Sequence, residues 1–439
     1  MSIPLSPGAL FAAASSSSNP SPSPPSSPLS GTSSGVSAVP NSAASDDPWR
    51  ARPLRIALVR QRYRADGGGE RFVNAVLKAL DAHPGGLEVS LLTRRWTGAL
   101  PAGVRALCCD PPHWGRVHRE RGFARAVRAV IAREGFDLVQ SHERIPGCAV
   151  YRAGDGLHRS WLAERLARAP WPVRWWLRSS PFHRAMLARE RALFADPRLR
   201  AVICNSAMVR DEIREQFGVP AERLHLIYNG VDHAHFHPGV RVHRPALRAS
   251  LGVPGEAPVM LFVGSGFERK GLEWALRALA RLPETWLIVV GADKRMARYR
   301  RLAGRLGVAA RVRFVGAQAD VRPWYGAADG LWLPTRYDPF PNVVFEAMAC
   351  GLGVVTSPRC GGAELIREGV QGFVRAIDDV DAMVAAVAAF SDPERARQMG
   401  VAARCAVEPF HPAVAAERLV ALYRSLLDPA AASDSVIIR

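Results

Sequence analysis

Lysine is scarce in this chain, since only Lys78, Lys270 and Lys294 occur among 58 basic residues and the others are arginines. The formal charge of +18 favours an anionic partner such as nucleic acid, an acidic membrane face or a phosphorylated ligand. A coding bias toward arginine is the alternative explanation of the same composition. Because the basic residues are spread along the chain, without a long consecutive block, they favour nucleic acid only weakly.

Long apolar runs and metal-binding cysteine patterns are also missing. No uninterrupted apolar run of about 18 residues occurs, so no transmembrane helix is expected. Of the seven cysteines, Cys108 and Cys109 are adjacent and the others stand alone. This spacing argues against a disulfide framework or a zinc site and is typical of a reduced, cytoplasmic protein.

Charge and large apolar side chains are both rare in residues 1–50, which are rich in serine, proline and alanine. A segment of this kind buries too little apolar surface to offset the entropy of ordering it. We therefore predict a disordered low-complexity tail. Its short GALFAAA stretch has no basic region before it, which disfavours a signal peptide.

From Leu54 onward, short apolar runs alternate with helix-like stretches in two successive series. This pattern predicts an α/β protein with two doubly wound, Rossmann-like domains that face a cleft. Ligands of such sheets bind beyond the carboxyl ends of the strands. The predicted divisions are a first domain at 54–237, a second domain at 238–412 and a C-terminal crossover helix at 413–428.

Three consecutive glycines, Gly67, Gly68 and Gly69, follow the first predicted strand. They allow a ligand to approach the backbone, and the helix after them offers free N–H groups to an anion. The pattern differs from G-x-G-x-x-G, and no acidic residue ends the second strand, so a nicotinamide site is disfavoured. The alternative is a tight strand-to-helix turn without a ligand.

A second polar cluster follows the predicted strand FDLVQSH and contains Glu143, Arg144, Asp155 and His158. Asp155 lies between two glycines, which predicts an open loop suited to contact with a substrate hydroxyl group. Glu143, Arg144 and His158 are candidates for the acceptor side of the site. Solvated or locally satisfied side chains are the alternative interpretation of all four.

Arg269 and Lys270 lie between a predicted strand end and a helix, in VGSGFERKGLEWALRAL. An ammonium beside a guanidinium at a helix N-terminus is suited to neutralise a diphosphate. A solvated basic turn is the alternative. We favour phosphate binding because the chain uses lysine so rarely.

Two carboxylates, Asp338 and Glu346, bracket the next strand-to-helix turn in RYDPFPNVVFEAMACG. Pro341 is suited to the first turn of a helix that ends near Gly351. Glu346 is four residues after Asn342, so both lie on one face of that helix. A carboxylate there can accept both hydroxyl groups of a ribose, while Asp338 contacts another part of the ligand.

The order and spacing of these motifs resemble those of the retaining glycosyltransferases of family 4, which have the GT-B fold. Asp338 and Glu346 match the Glu-x7-Glu signature of that family. Further agreement lies in the stretches VGSGFERKGLEWALRALARLP, GADK, VRFVGAQADV, GAADG and CGGAELI. The resemblance runs from about Arg55 to Leu427, and it is strongest toward the lipopolysaccharide core glucosyltransferase I group.

The resemblance implies transfer of a hexose or heptose from a nucleotide-diphosphate sugar to a lipopolysaccharide-core, glycan or lipid-linked acceptor. It implies no metal and no separate cofactor. Arg269 and Lys270 would hold the pyrophosphate, Glu346 the ribose, and Asp338 the transferred sugar. The implied catalytic residues are Asp155, Arg269, Lys270 and Asp338, and the implied donor-binding residues are Gly68, Gly69, Arg269, Lys270, Phe340, Asn342, Val343 and Glu346.

Two positions differ from the family pattern at the expected sugar site. Asp338 is one methylene shorter than the usual glutamate, and Pro341 stands where many members have glycine. Both differences bear on which sugar is transferred.

Three other functions stay open at this point. A nucleotide-sugar epimerase or hydrolase would use the same fold, although the paired basic and acidic residues follow the transferase pattern. A basic nucleic-acid-binding protein or a non-catalytic scaffold would also be positively charged. The segment WPVRWWLR, from Trp171 to Arg178, is the one aromatic and basic stretch that suits nucleic acid. We interpret it as an acceptor-side or membrane-facing helix, with plain packing as the alternative, and expect contact with an anionic membrane rather than nucleic acid.

Overall fold

Two large parallel sheets form the framework of the computed structural model, which describes residues 53–64, 87–98, 100 and 103–427. Gly68, Gly69 and the predicted tail at 1–50 lie outside the described residues. We call the described residues up to 237 the N-terminal lobe and residues 238–411 the C-terminal lobe. The limits of the predicted domains stay a prediction.

The sheet of the N-terminal lobe has seven strands in the order β5-β3-β1-β6-β7-β8-β9. All of its neighbouring strands pair in parallel. Its strands are β1 Leu54–Val59, β3 Leu87–Thr93, β5 Val104–Cys108, β6 Leu138–Ser141, β7 Val150–Arg152, β8 Ala201–Cys204 and β9 Leu224–Leu226. Two further short strands, β2 Arg62–Arg64 and β4 Arg95–Thr97, pair with each other in a separate parallel sheet.

The sheet of the C-terminal lobe has six strands in the order β12-β11-β10-β13-β14-β15, again all parallel. These strands are β10 Val259–Val263, β11 Trp286–Val290, β12 Val312–Gly316, β13 Gly330–Leu333, β14 Gly353–Thr356 and β15 Gly372–Val374. In both sheets the first strand in the chain lies inside the sheet, so the order reverses there. The reversal points lie between β1 and β6 and between β10 and β13, where doubly wound sheets bind ligands.

Helices cover both sheets, as parallel strands require. In the N-terminal lobe they are α1 Gly115–Glu134, α2 His158–Ala167, α3 Trp171–Ser179, α4 Pro181–Phe194 and α5 Ala207–Phe217. In the C-terminal lobe they are α6 Arg244–Ser250, α7 Phe267–Lys270, α8 Leu272–Leu279, α9 Met296–Arg305, α10 Arg322–Ala327, α11 Asn342–Ala349, α12 Val380–Ala388 and α13 Pro393–Val407. The last described helix is α14, Pro412–Leu427.

Helix α14 packs on the sheet of the N-terminal lobe, although it follows the C-terminal lobe in the chain. Its buried Leu419 and Leu422 belong to one apolar cluster with Leu54 and Ile56 of β1. The hydroxyl of Tyr423 donates a hydrogen bond of 2.8 Å to the side-chain oxygen of Gln140, which adds a polar contact to the same face. The end of the chain therefore completes the core next to β1.

The predicted strands of both series are present, and their apolar runs are buried as expected. Three strands of the large sheets were not predicted, namely β5, β7 and β15. Each has only three to five residues, and β5 and β7 contain arginine, so they lack the apolar run that marks the others. Among the described helices, none is long and apolar enough to cross a membrane.

Candidate active site

A cavity of about 400 Å³ lies between the two lobes, with residues from the carboxyl ends of strands in both sheets around it. The first strand of each sheet contributes directly, because Arg60 follows β1 and Gly264 follows β10. The cavity is lined by Arg60, His142, Arg152, Gly154, Asp155, Asn205, Asn229, Gly264, Ser265, Arg269, Lys270, Asp338, Phe340, Pro341 and Asn342. Six predicted site residues therefore meet in this cavity although they are distant in sequence. They are Asp155, Arg269, Lys270, Asp338, Phe340 and Asn342.

Asp338 forms ion pairs with both predicted phosphate-binding residues. Its Oδ2 atom lies 2.6 Å from Nη1 of Arg269 and 2.8 Å from Nζ of Lys270. Lys270 and Asp338 are buried, whereas Arg269 is 39% exposed. The two cations thus converge on one point of the cavity, which suits an incoming group with several negative charges.

The charge state of Asp338 follows from two opposed effects. Burial alone raises the pKa of this carboxyl group, but the positive charges of Lys270 and Arg269 outweigh burial and hold the pKa below its ordinary value. Asp338 is therefore a carboxylate at neutral pH. This carboxylate is the counter-ion of the two basic residues.

Local backbone geometry places Lys270 at this point. The four-residue helix α7 ends at Gly271, whose φ is +80°. A β-carbon at Gly271 would lie 1.8 Å from the carbonyl oxygen of Pro334, so only glycine allows α7 to pack against the end of β13. The side chain of Lys270 passes Gly264, where a β-carbon would lie 3.0 Å from Cε of the lysine.

The start of α11 is joined to the N-terminal lobe by a chain of hydrogen bonds. Nδ2 of Asn229 donates to Oδ1 of Asn342 at 2.7 Å, and Nη2 of Arg152 donates to Oδ1 of Asn229 at 2.6 Å. Pro341 caps the helix rather than occupying its first turn. The amide of Val344 donates to the carbonyl oxygen of Pro341 at 3.0 Å, so this N–H group is already hydrogen-bonded within the protein.

Glu346 is buried within α11, and its Oε2 atom accepts a hydrogen bond of 2.9 Å from the hydroxyl of Tyr325. The carboxylate lies on the same helix as Asn342, as the sequence predicted. Its contact with ribose stays a prediction. Phe340 is buried beside this helix, with its ring centroid 4.6 Å from that of Phe345.

The loop that carries Asp155 contacts the loop of the other lobe that carries Asp338. The backbone N–H of Leu157 donates to the hydroxyl of Tyr337 at 3.0 Å. Gly156 has a φ of +63°, and a β-carbon there would lie 2.4 Å from the same hydroxyl oxygen. Glycine is therefore needed next to Asp155 so that the two loops can meet, while Asp155 itself stays exposed in the cavity.

Arg144 and His158 have structural partners close to this loop. Nε of Arg144 pairs with the buried Glu190 at 2.9 Å, and its Nη2 donates to the carbonyl oxygen of Gly156 at 2.6 Å. Glu190 also accepts the backbone N–H of His158 at 2.7 Å, which caps helix α2. The ring of His158 lies 3.1 Å from that of His183, and burial together with Arg144 lowers the pKa of His158 to about 3. Both residues support the loop from outside the cavity lining, and their proposed acceptor contact stays a prediction.

Glu143 accepts the backbone N–H of Gln61 at 2.9 Å. Burial raises its pKa to about 7, and the nearby carboxylates of Asp155 and Glu120 act in the same direction. Glu143 is thus a carboxyl group that changes protonation near neutral pH. Glu143 is not among the residues that line the cavity.

Sequence reasoning missed the polar side chains that the N-terminal lobe contributes, namely Arg60, His142, Arg152, Asn205 and Asn229. Burial and the neighbouring charges of Arg60 and Arg152 hold the pKa of His142 well below its ordinary value, so its ring is neutral. Each of these residues lies in or just after a strand of the parallel sheet. A polar residue at the carboxyl end of a strand was therefore the sequence signal that could have identified them. None stands out alone, because single polar residues at strand ends are common. Among the described residues, no cluster of histidine, cysteine and carboxylate side chains could hold a metal ion.

Two family models match successive parts of the chain. The model described as "Glycosyltransferase Family 4" matches residues 66–235, and the one described as "Glycosyl transferases group 1" matches residues 257–392. The two matches do not overlap, and the second contains Arg269, Lys270, Asp338 and Glu346. The chain belongs to the glycosyltransferases of GT-B type. Its two parallel sheets with a cleft between them are the architecture expected from the sequence.

Two curated relatives of this glycosyltransferase act in lipopolysaccharide synthesis according to their names, and others are named D-inositol 3-phosphate glycosyltransferases. The lipopolysaccharide core biosynthesis glycosyltransferase LpsE of Rhizobium meliloti is 36% identical over 140 residues, which are 32% of this chain and 41% of LpsE. The lipopolysaccharide glucosyltransferase WaaG of Escherichia coli is 27% identical over 325 residues, 73% of this chain and 84% of WaaG. The chain thus spans less than half the length of LpsE.

Solved structures have the same fold as this glycosyltransferase. The crystal structure of WaaG, a glycosyltransferase involved in lipopolysaccharide biosynthesis, superposes with a TM-score of 0.71 at 23% identity, over 84% of this chain and 99% of WaaG. HepE of Anabaena in complex with UDP and glucose superposes with a TM-score of 0.64 at 20% identity, over 85% of this chain and 99% of HepE. At these identities the likeness concerns the fold.

Proposed function

We propose that this protein is a retaining glycosyltransferase that moves a hexose or heptose from a nucleoside-diphosphate sugar to a glycan or glycolipid acceptor of the lipopolysaccharide-core type. The observation that carries the proposal is the convergence of Arg269 and Lys270 on Asp338 within a cavity between two sheet-reversal points. The names of LpsE and WaaG support the acceptor class. UDP-glucose is the donor we favour, because HepE, which shares the fold, binds UDP and glucose.

The donor would enter with its diphosphate at Arg269 and Lys270 and its ribose at Glu346. The diphosphate then competes with Asp338 for the two cations, which frees the carboxylate to accept hydroxyl groups of the transferred sugar. Phe340 lies in the turn beside Asp338, and Asn342 and Val343 are the first residues of α11. All three would contact the phosphates through their backbone. Gly68 and Gly69 would approach the donor from the N-terminal lobe.

The bond between the anomeric carbon and the diphosphate oxygen breaks, and its electron pair goes to the leaving diphosphate. The acceptor hydroxyl oxygen forms the new bond from the same face, and its proton goes to the leaving phosphate oxygen. Arg269 and Lys270 stabilise the negative charge that develops there, since charges oriented beforehand need no reorganisation in the transition state. Asp155 would orient the acceptor hydroxyl. This scheme requires neither a protein nucleophile nor a metal ion.

We place the reaction in the cytoplasm, at the inner face of the cytoplasmic membrane, where a lipid-linked acceptor would be available. Nucleic acid is not a partner in this proposal. The net charge of +18 instead attracts the protein to anionic lipid.

A thermal-shift screen with UDP, GDP, ADP and their sugar conjugates tests the donor class. We expect one nucleoside diphosphate and its sugar conjugates to raise the melting temperature, and the Lys270→Ala variant to lose the shift. Arg305→Ala, which removes an exposed arginine from α9, is the control and should keep it. The proposal fails if none of the nucleotides stabilises the wild-type protein, or if Lys270→Ala responds as the wild type does.

A further inference from the structure

A second cavity, of about 340 Å³, adjoins the cavity described above. Helix α2 of the N-terminal lobe forms one wall with Trp161, Glu164 and Arg165, and the turns after β10, β11 and β13 form the other. Arg269 belongs to the lining of both cavities. The volume lies in the range of about 300–1,000 Å³ that is usual for small-molecule sites. The second cavity is therefore large enough for a ligand and shares a wall with the proposed reaction site.

The three carboxylates that line the second cavity already have partners within the protein. Oε1 of Glu164 lies 3.1 Å from Nε of Arg359, which is outside the lining. Oε2 of Glu268 lies 2.7 Å from Nη1 of Arg295. Oδ1 of Asp293 accepts the backbone N–H of Arg295 at 2.7 Å. These carboxylates therefore leave the other cations of the lining without a counter-ion.

Arg165 and Lys294 are the two cations in question, and they come from opposite walls of the second cavity. Neither forms an ion pair with any residue that the structure describes. The guanidinium carbon of Arg165 lies 5.2 Å from the centre of the Trp161 ring, which orients the group without neutralising its charge. Lys294 is exposed, and it is one of only three lysines in the chain. The two side chains thus supply positive charge that a bound anion would neutralise.

We propose that the second cavity is a subsite for a phosphate or carboxylate group on a sugar of the acceptor glycan. A guanidinium fork binds such oxyanions through two parallel hydrogen bonds, and an ammonium group adds a compact positive charge. The cavity offers one of each without a carboxylate partner, next to the partly exposed Arg269. This inference rests on the proposed function and names its acceptor as an acidic glycan.

Helix α2 links the second cavity to the loop of Asp155. The helix begins at His158, three residues after Asp155. Trp161 and Arg165 are four residues apart and so lie on one face of α2. Because Asp155 lines the first cavity and this face of α2 lines the second, one glycan can occupy both. An acceptor hydroxyl oriented by Asp155 would then belong to a sugar whose acidic neighbour enters the second cavity.

Saturation-transfer NMR titrations of the full chain with mannose 6-phosphate, glucuronic acid and mannose test the proposal. We expect both acidic sugars to bind at least tenfold more tightly than mannose, because they alone carry an anionic group for Arg165 and Lys294. Lys294→Ala should weaken binding of the acidic sugars about tenfold, and Lys294→Arg should restore it. Saturating UDP should displace neither acidic sugar, since the diphosphate occupies the neighbouring cavity.

Arg301→Ala is the matched control, because Arg301 is exposed on α9, carries the same charge and is outside the lining. It should bind the acidic sugars as the wild type does. Lys294 is exposed as well, so its replacement should leave the fold intact, which circular dichroism checks. Three results would overturn the proposal: equal affinity for mannose and the acidic sugars, displacement of the acidic sugars by UDP, or equal weakening by Arg301→Ala and Lys294→Ala.

UDP binding of each variant is measured separately, so that the subsite and the proposed function are tested independently. A protein that binds UDP but neither acidic sugar would contradict the subsite and leave the proposed function intact. A protein that binds the acidic sugars through Lys294 but binds no nucleotide would contradict the proposed function and leave the anion-binding cavity.

Discussion

Tyr337 and Glu212 come from opposite lobes, and the hydroxyl of Tyr337 donates a hydrogen bond of 2.8 Å to Oε2 of Glu212. The other oxygen of Glu212 lies 2.9 Å from Nη2 of Arg359, and the carbonyl oxygen of Arg359 accepts the backbone N–H of Asp338 at 2.9 Å. The Glu212 carboxylate of the other lobe thus holds two neighbours of Asp338: Tyr337, which precedes it in the chain, and Arg359, which is hydrogen-bonded to its backbone.

Tyr337→Phe should lower turnover about tenfold while leaving the affinity for the nucleoside diphosphate unchanged. The variant keeps the ring but removes the hydrogen bonds that hold the Asp155 loop near Asp338. It should also lower the free energy of unfolding by about 1–3 kcal/mol, because Leu157 N–H and Glu212 lose a buried partner. Steady-state kinetics, calorimetry and urea denaturation measure these effects. Tyr299→Phe, at a buried tyrosine of the same lobe, is the control, and an equal loss of turnover there would contradict the positioning role.

Lys270→Ala should weaken binding of the bare nucleoside diphosphate by one to two orders of magnitude, since charge-assisted bonds to a diphosphate contribute about 1.5–3 kcal/mol each. The fold should persist, because Arg269 still pairs with Asp338. Isothermal titration calorimetry provides the affinity and circular dichroism the fold. An affinity equal to that of the wild type would remove Lys270 from the phosphate site.

Glu346→Ala should reduce affinity for the nucleoside diphosphate, because the ribose hydroxyls lose their acceptor. The same substitution removes the acceptor of the Tyr325 hydroxyl. The loss of the ribose contact must therefore be distinguished from the loss of this internal hydrogen bond. Tyr325→Phe breaks that hydrogen bond but keeps the carboxylate, and it should bind the nucleotide nearly as well as the wild type. If Tyr325→Phe and Glu346→Ala weaken binding equally, the contact of Glu346 is structural and the ribose role is wrong.

Asp155→Asn should lower turnover without changing donor affinity or stability. The side chain is exposed in the cavity, on the loop between β7 and α2, so the substitution removes its charge without disturbing packing. The measurement compares kcat with the calorimetric affinity for the donor nucleotide. Unchanged turnover would take Asp155 out of the reaction.

The pKa of Glu143, raised by burial to about 7, makes stability depend on pH. The folded state binds the proton more tightly than the unfolded state does, so the stabilisation is present in full below about pH 4.5. It is lost as pH rises through about 7, in total on the order of 3 kcal/mol. Glu143→Gln should remove this part of the decline in urea titrations between pH 5 and 8. An identical pH slope in the variant would contradict the raised pKa.

The parts of the fold that could be predicted from sequence are those with a strong local signal. Strands such as Val259–Val263 are continuous apolar runs, which parallel sheets covered on both faces require. Strand β7 gave no such signal, because Val150–Arg152 is three residues long and ends in arginine. Its pairing with β6 and β8 depends on contacts across the sheet.

The meeting of Arg269, Lys270 and Asp338 in one cavity could be predicted because these residues are grouped in short motifs at strand ends. Lys270 and Asp338 follow neighbouring strands, β10 and β13, and the structure joins them at 2.8 Å. The part of the lining that comes from the N-terminal lobe was predicted less completely, since Arg60 and Asn229 are single polar residues that follow separate strands. They come close together only when the complete parallel sheet has formed, and the spacing of these residues along the chain does not indicate that contact.

The packing of α14 on the first sheet has a consequence for synthesis. The ribosome makes β1 long before α14, so four buried members of the cluster that contains Leu54 and Ile56 emerge only after residue 412, namely Ala415, Leu419, Leu422 and Tyr423. The N-terminal lobe therefore cannot finish its core while the chain is still growing. A protein truncated before α14 would keep Arg269, Lys270 and Asp338, but part of the apolar surface around Leu54 and Ile56 would be exposed to solvent and to chaperones.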